Sequence, residues 1–220
     1  MTKPDACIFD LDGVIVETSD AHFKAWQRLA ESLGISFGEE FNEQLKGVSR
    51  RKSIEKILAL DDRQLPEEEI QRLMDKKNSW YQDSIAELTP DDILEGVPVF
   101  LESLQEMDIP LGIGSSSKNA QFIIDYLQLN DTFEVIIDGT KVENTKPDPE
   151  VFLKGAKALQ ADPLSTIVFE DAASGVEAAN NGNFISVGVG SAEYLGDANL
   201  VIPNFIGLTP EKLFKKLNDK

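Results

Sequence analysis

Two carboxylates one residue apart, Asp10 and Asp12, close the apolar run Ala6-Cys7-Ile8-Phe9. Side chains alternate along extended backbone, so both acids can face one site. At the carboxyl end of a buried parallel strand, one such acid can be a nucleophile and metal ligand and its neighbour a general acid and base. Gly13 follows, where a tight turn lets the chain leave the sheet. Taken alone, Asp10-Leu11-Asp12-Gly13 reads as readily as a solvated turn.

Three further expected strand ends carry polar residues. Pro110 to Gly114 leads into Ser115-Ser116-Ser117-Lys118-Asn119, where hydroxyls, a lysine and a following helix amino end make a phosphate cradle, or else a serine cap with a surface lysine. Lys146 lies in Thr145-Lys146-Pro147-Asp148-Pro149, whose prolines restrict the loop that aims it; the plain alternative is a surface lysine ahead of a helix. Glu170 and Asp171 leave the run Ile167-Val168-Phe169 together, as a magnesium ion would want, although Asp171 could equally cap the next helix.

The elements that must position these residues follow from periodicity. A first strand over Ala6–Phe9 precedes some seventy residues of helical pattern, roughly Thr18 to Thr89. One helix starts near Ser19 and stops at Gly34, one follows the N-cap Ser49, and one follows Pro66 with Glu67, Glu68 and Glu69 in its first turn. Thr89-Pro90-Asp91-Asp92 reads as the return linker. Helices and strands then alternate: helix 97–107, a strand ending near Gly114, helix 118–128, strand 134–137, a helix from Pro149, strand 166–169, a helix after Ala173, strands near 185–187 and 200–202, and a closing helix from Pro210. Such alternation predicts an α/β fold, a doubly wound parallel-sheet (Rossmann-like) core with a helical cap inserted after strand one. The expected division is 1–17 with 90–220 as catalytic core and 18–89 as cap.

Bulk properties limit the function. The 220 residues carry 39 acidic and 21 basic side chains, a formal net charge of −18, which argues against a nucleic-acid or anionic-membrane surface. Any phosphate-bearing ligand must then meet a local basic site. No run approaches the ~20 apolar residues of a membrane span, and no cationic start precedes a long apolar run, so a cytoplasmic location is expected. Cys7 is the one cysteine and His22 the one histidine. Disulfides and His/Cys zinc sites are therefore ruled out within the chain, and a bound metal must be a hard cation on oxygen ligands.

The ordered set of Asp10-Leu11-Asp12-Gly13, Ser115, Lys146 and Glu170-Asp171 at four strand ends resembles the haloacid dehalogenase superfamily of phosphoryl-transfer enzymes. The segments Asp20-Ala21-His22-Phe23-Lys24-Ala25-Trp26, Phe41 to Arg50 and Ser117-Lys118-Asn119 are similar to its β-phosphoglucomutase family. That resemblance implies interconversion of β-D-glucose 1-phosphate and glucose 6-phosphate through a 1,6-bisphosphate. It implies Asp10 as nucleophile, Asp12 as general acid and base, and Ser115 and Lys146 on the transferring phosphoryl group. Magnesium would be held by Asp10, Asp12 (through its backbone), Glu170 and Asp171.

Thr18, His22, Trp26, Gly47, Val48, Ser49, Arg50, Ser53, Lys77, Ser116, Ser117, Lys118 and Asn119 would contact substrate. Arg50, at a helix amino end behind Ser49, suits the phosphate that is not reacting, or is one of three basic surface residues with Arg51 and Lys52. Lys77 falls on the apolar stripe between Met74 and Tyr81, where it either serves the site or snorkels to solvent. Ala172, where the family often has serine, removes one hydroxyl near the metal. A monomer acting on small sugar phosphates is expected. A sugar-phosphate phosphatase on the same scaffold is the alternative.

Overall fold

A computed structural model describes residues 3–219. Six strands, β1 (Ala6–Phe9), β2 (Leu111–Gly114), β3 (Val135–Ile137), β4 (Thr166–Glu170), β5 (Ile185–Val189) and β6 (Leu200–Ile202), form one parallel sheet in the order β3-β2-β1-β4-β5-β6. The strands are short and almost wholly buried, as parallel strands covered on both faces must be. Strand order reverses direction at β1, which puts the ligand crevice between β1 and β4.

Phe9 is level with Ile113 on one side and Phe169 on the other, so Asp10 leaves the sheet beside the end of β4. Phe9 and Phe169 stack with ring centroids 4.5 Å apart. The α5 (Val97–Glu106), α6 (Ala120–Tyr126), α7 (Glu150–Ala158), α8 (Ala173–Asn181), α9 (Ala192–Leu195) and α10 (Pro210–Asn218) helices complete this layer structure.

Between β1 and β2 lie α1 (Ser19–Ser32), α2 (Glu39–Glu43), α3 (Arg50–Ala59) and α4 (Glu67–Ile85). They enclose an apolar cluster of their own, built on Trp26, Leu29, Ile54, Ile57, Leu73 and Met74. The Ser49 hydroxyl caps α3 by accepting from the Lys52 N–H at 3.2 Å. Thr89 to Asp92 form a closed 3-10 turn, with the Thr89 N–H donating to Asp92 Oδ2 at 2.7 Å.

Several boundaries depart from the sequence expectation. α6 starts at Ala120, not Lys118, because Ser115 Oγ accepts from Ser117 N–H and Ser117 Oγ accepts from Asn119 N–H, which holds 115–119 as a turn. Glu170 is the last residue of β4 instead of following it, and Ala172, not Asp171, occupies the N-cap of α8. The short α2 and α9 carry too few periodic residues to be read from sequence. Among the described residues no helix is long and apolar enough to cross a membrane.

Candidate active site

The carboxyl ends of β1, β2 and β4 and the loop before α7 bring four of the singled-out groups together. Lys146 Nζ, fully buried, donates to Asp10 Oδ1 at 2.5 Å and also to Glu170 Oε1. It lies 4.7 Å from the Phe152 ring centroid. Burial by itself lowers a lysine pKa, but the charges of Asp10 and Glu170 outweigh it and the ammonium is held raised, so it keeps its charge. Glu170 Oε2 accepts from the Ala172 N–H at 3.0 Å. Burial lifts the Glu170 carboxyl to about 7 against the pull of Lys146, with Asp10 adding to the rise.

Asp10, Glu170 and Asp171 each offer a carboxylate oxygen within 4.8 Å of the others. Burial, Glu170 and Asp10 push Asp171 well above the ordinary aspartate range. Three acids crowded beside one lysine can all ionise only with further positive charge close by, and an all-oxygen donor set fits a hard divalent cation. Gly13, at φ +79, is required here, because a Cβ on it would meet Asp171 Oδ2 at 2.1 Å.

Asp12 turns the other way. Its Oδ1 accepts from the Thr18 hydroxyl and, at 3.3 Å, from the Tyr81 hydroxyl. Burial and the Asp10 charge raise it to about 6, opposed by those two hydrogen bonds and by Lys77. Its side chain is still 20% exposed, and it faces a cavity of about 290 Å³ between the sheet end and helices α1, α3 and α4. That volume is at the small end for a ligand site.

His22 Nε2 faces Asp12 Oδ2 at 3.9 Å, and Nδ1 lies 2.8 Å from Lys77 Nζ. Burial, Lys77 and Arg50 push the imidazole well below its usual pKa. The ring is therefore neutral, Nδ1 accepts from the lysine, and Nε2 carries the proton that points at Asp12. At that distance the pair is not an ion pair. Lys77 is 2% exposed and faces the rings of Trp26 and Tyr81 at 4.9 and 4.7 Å. With no carboxylate bonded to it, burial and the Arg50 charge lower it to about 7, Asp12 opposing. The stripe position is thus a buried lysine facing the site, not one snorkelling to solvent.

The far wall of the cavity is basic and amide-rich. Half-buried Arg50 donates from Nη2 to Asn78 Oδ1 at 2.6 Å, which also accepts from Asn119 Nδ2 at 3.0 Å; Gln82 Nε2 donates to Asn119 Oδ1 at 3.1 Å. Gly47, Val48, Ser49, Ser53, Ser115, Ser116, Ser117 and exposed Lys118 are among the lining residues, with His22, Trp26, Lys77 and Asn119.

Thr18, Lys146 and Glu170 do not line the cavity: they are buried behind it and act on Asp12 and Asp10. Ser116 directs its hydroxyl to the Gly47 carbonyl, at 2.8 Å. Sequence reasoning missed Asn78, Tyr81 and Gln82. Tyr81 and Lys77, four apart on α4, face the same way, so a polar-tipped residue one turn from the odd lysine was the available signal.

Residues 7–189 match the family model described as haloacid dehalogenase-like hydrolase. The chain is 40% identical over 213 residues to the β-phosphoglucomutase of Bacillus subtilis, covering 96% of this chain and 94% of that one. It is 32% identical over 180 residues to a phosphorylated carbohydrates phosphatase of Thermotoga maritima, covering 80% and 81%. The crystal structure of a β-phosphoglucomutase from Clostridium difficile superposes with a TM-score of 0.94 at 41% identity, over 98% of both chains.

Proposed function

The chain belongs to the haloacid dehalogenase-like hydrolase family, and within it we propose that it is a β-phosphoglucomutase, interconverting β-D-glucose 1-phosphate and glucose 6-phosphate through an aspartyl-phosphate enzyme and β-glucose 1,6-bisphosphate. The observation that carries this reading is a cavity with two unlike ends, Asp10 beside Lys146 at one and Arg50 with Asn78 and Asn119 at the other. A mutase must hold the phosphate that is not reacting, and the second end supplies charge-assisted and amide donors for it. The high identity and full-length coverage of two β-phosphoglucomutases support the same choice. The likeness to a carbohydrate phosphatase favours the alternative, transfer of the aspartyl phosphate to water.

In this reading 18–89 is a cap over a catalytic core of 1–17 and 90–220. The sugar 6-hydroxyl attacks the aspartyl phosphate on Asp10 and its proton passes to Asp12. After the bisphosphate turns end for end, Asp10 attacks the phosphorus at C1, and the departing C1 oxygen takes the proton back from Asp12. A carboxyl near pKa 6 can do both near neutrality. Ser115 lines the cavity beside the transferring group, and Lys146, buried behind it, holds Asp10 by a charged hydrogen bond. Asp10, Glu170 and Asp171, with the main chain of Asp12, would hold a magnesium ion, which would supply further positive charge to the transferring group.

The enzyme is then a cytoplasmic monomer of carbohydrate metabolism acting on small sugar phosphates, without nucleic-acid or membrane partners, in keeping with its −18 charge.

Arg50→Ala tests the assignment of the distal phosphate. Loss of a charged hydrogen bond, about 1.5–3 kcal/mol, lowers mutase flux roughly ten- to a hundredfold while aspartyl phosphate still forms. Unchanged flux in Arg50→Ala removes the distal site from the mechanism.

A further inference from the structure

Two serines on separate elements of the core reach the same turn of the cap. Ser116, in the loop after β2, donates to the Gly47 carbonyl at 2.8 Å. Ser174, the second residue of α8, donates to the preceding carbonyl, that of Lys46, at 3.2 Å. Both are half-buried. The turn is built for this approach: Gly47 has φ +69, and a Cβ there would stand 2.5 Å from Ser174 Oγ and 3.0 Å from Ala172 Cβ. Two successive peptide oxygens of one cap turn are thus taken by hydroxyls from two points of the core.

The two bonds come from separate elements of the core, the loop following β2 and α8, so together they hold the turn at two points. The turn leads directly into Ser49 and Arg50, the amino end of α3, so its position also sets the distance between the two ends of the cavity.

We propose that Ser174 is a positioning residue which, with Ser116, latches the cap turn 46–47 onto the core, and that this latch governs how much bisphosphate is retained through its reorientation. The inference rests on the mutase reading above. Ser174 does not line the cavity, and its hydroxyl bonds the Lys46 carbonyl, not a carboxylate or the basic wall. Its loss leaves phosphoryl transfer itself intact and weakens only the closed state. In a mutase the bisphosphate must turn end for end before the cap releases it. A shorter-lived closed state therefore appears as intermediate escaping into solution.

The test uses the full chain with magnesium, β-glucose 1-phosphate and radiolabelled glucose 1,6-bisphosphate. Three quantities are read: the single-turnover rate of aspartyl-phosphate formation, the KM for bisphosphate, and the bisphosphate released per glucose 6-phosphate made. Ser174→Ala is expected to leave the first unchanged and to raise the other two about three- to tenfold, the effect of one neutral hydrogen bond. Ser116→Ala/Ser174→Ala is expected to raise them further. Equal KM and equal release in Ser174→Ala and wild type would overturn the latch, as would a fall confined to the single-turnover rate. A wild type with no mutase flux would instead remove the mutase reading, so the two failures are distinguishable.

Discussion

Two lysines are buried in this site, 0% and 2% exposed, and their surroundings drive them in opposite directions. Lys146, on the sheet side, bonds Asp10 and Glu170 and is held firmly charged. Lys77, on the helical side, has a neutral imidazole and two aromatic faces, and is brought down to about 7. The same side chain therefore does two jobs. On the sheet side the positive charge is permanent and outnumbered by carboxylates, which suits a cation and a phosphoryl group arriving together. On the helical side the positive charge is held at a cost, which an incoming anion would relieve.

The largest effect expected is at the acidic end. Asp10→Asn abolishes phosphoryl transfer, because an amide is a poor nucleophile, and mass spectrometry of protein incubated with the bisphosphate then shows no phosphorylated species. Turnover by folded Asp10→Asn protein would break the sheet-side half of the comparison. Next comes the metal. Excess chelator is expected to stop turnover, and joint neutralisation in Glu170→Gln/Asp171→Asn to weaken magnesium binding measured by calorimetry. Full activity in chelator would contradict it.

The lysines themselves separate on stability. Lys146→Met strands two buried carboxylates and is expected to cost about 3–5 kcal/mol in metal-free urea titrations. Lys77→Met removes a poorly compensated buried charge and is expected to stabilise by on the order of 1–4 kcal/mol, whatever it does to activity. Equal signs for the two would erase the distinction. The pH dependence follows from the same cause. The folded-state pKa of Lys77, about 7, lies below its unfolded value near 10.5, so the unfolded chain binds the extra proton between them and stability rises with pH in that interval. Measured from about pH 7 to 8.5, the gap between Lys77→Met and wild type should narrow. Above that window the buried Cys7 thiol, raised by burial, acts in the reverse sense.

The smallest effect is expected for Tyr81→Phe. Losing its 3.3 Å bond to Asp12 favours the protonated acid. For a bond of about 1 kcal/mol the acid limb of the kcat/KM profile then moves up by about 0.7 pH unit, so activity below about pH 6 falls several-fold while activity at neutrality changes little.

The sheet side was the more legible half of the sequence. β1 falls where the run Ala6–Phe9 puts it, and Asp10, Glu170 and Asp171 each stand beside an apolar run and Lys146 directly before Pro147, signals that are local. On the helical side the period showed α1, α3 and α4 but not who faces whom. Asn78 and Gln82 matter only because Arg50 and Asn119 reach them from other elements, at separations of 28 and 37 residues. Ser174 is invisible for the same reason, since nothing near it in sequence indicates the Lys46 carbonyl it meets. Glu170 was placed one residue outside its strand because an acid reads as a strand end, whereas the Lys146 bond allows it to be buried inside.

The central claim is that this cavity holds two phosphates and moves one between two positions of a sugar. The measurement that meets it most directly follows β-glucose 1-phosphate by phosphorus NMR with wild-type protein, magnesium and a trace of glucose 1,6-bisphosphate. Glucose 6-phosphate is predicted to accumulate in place of substrate with little inorganic phosphate. Inorganic phosphate released as fast as β-glucose 1-phosphate disappears would contradict the claim and establish the phosphatase in its place.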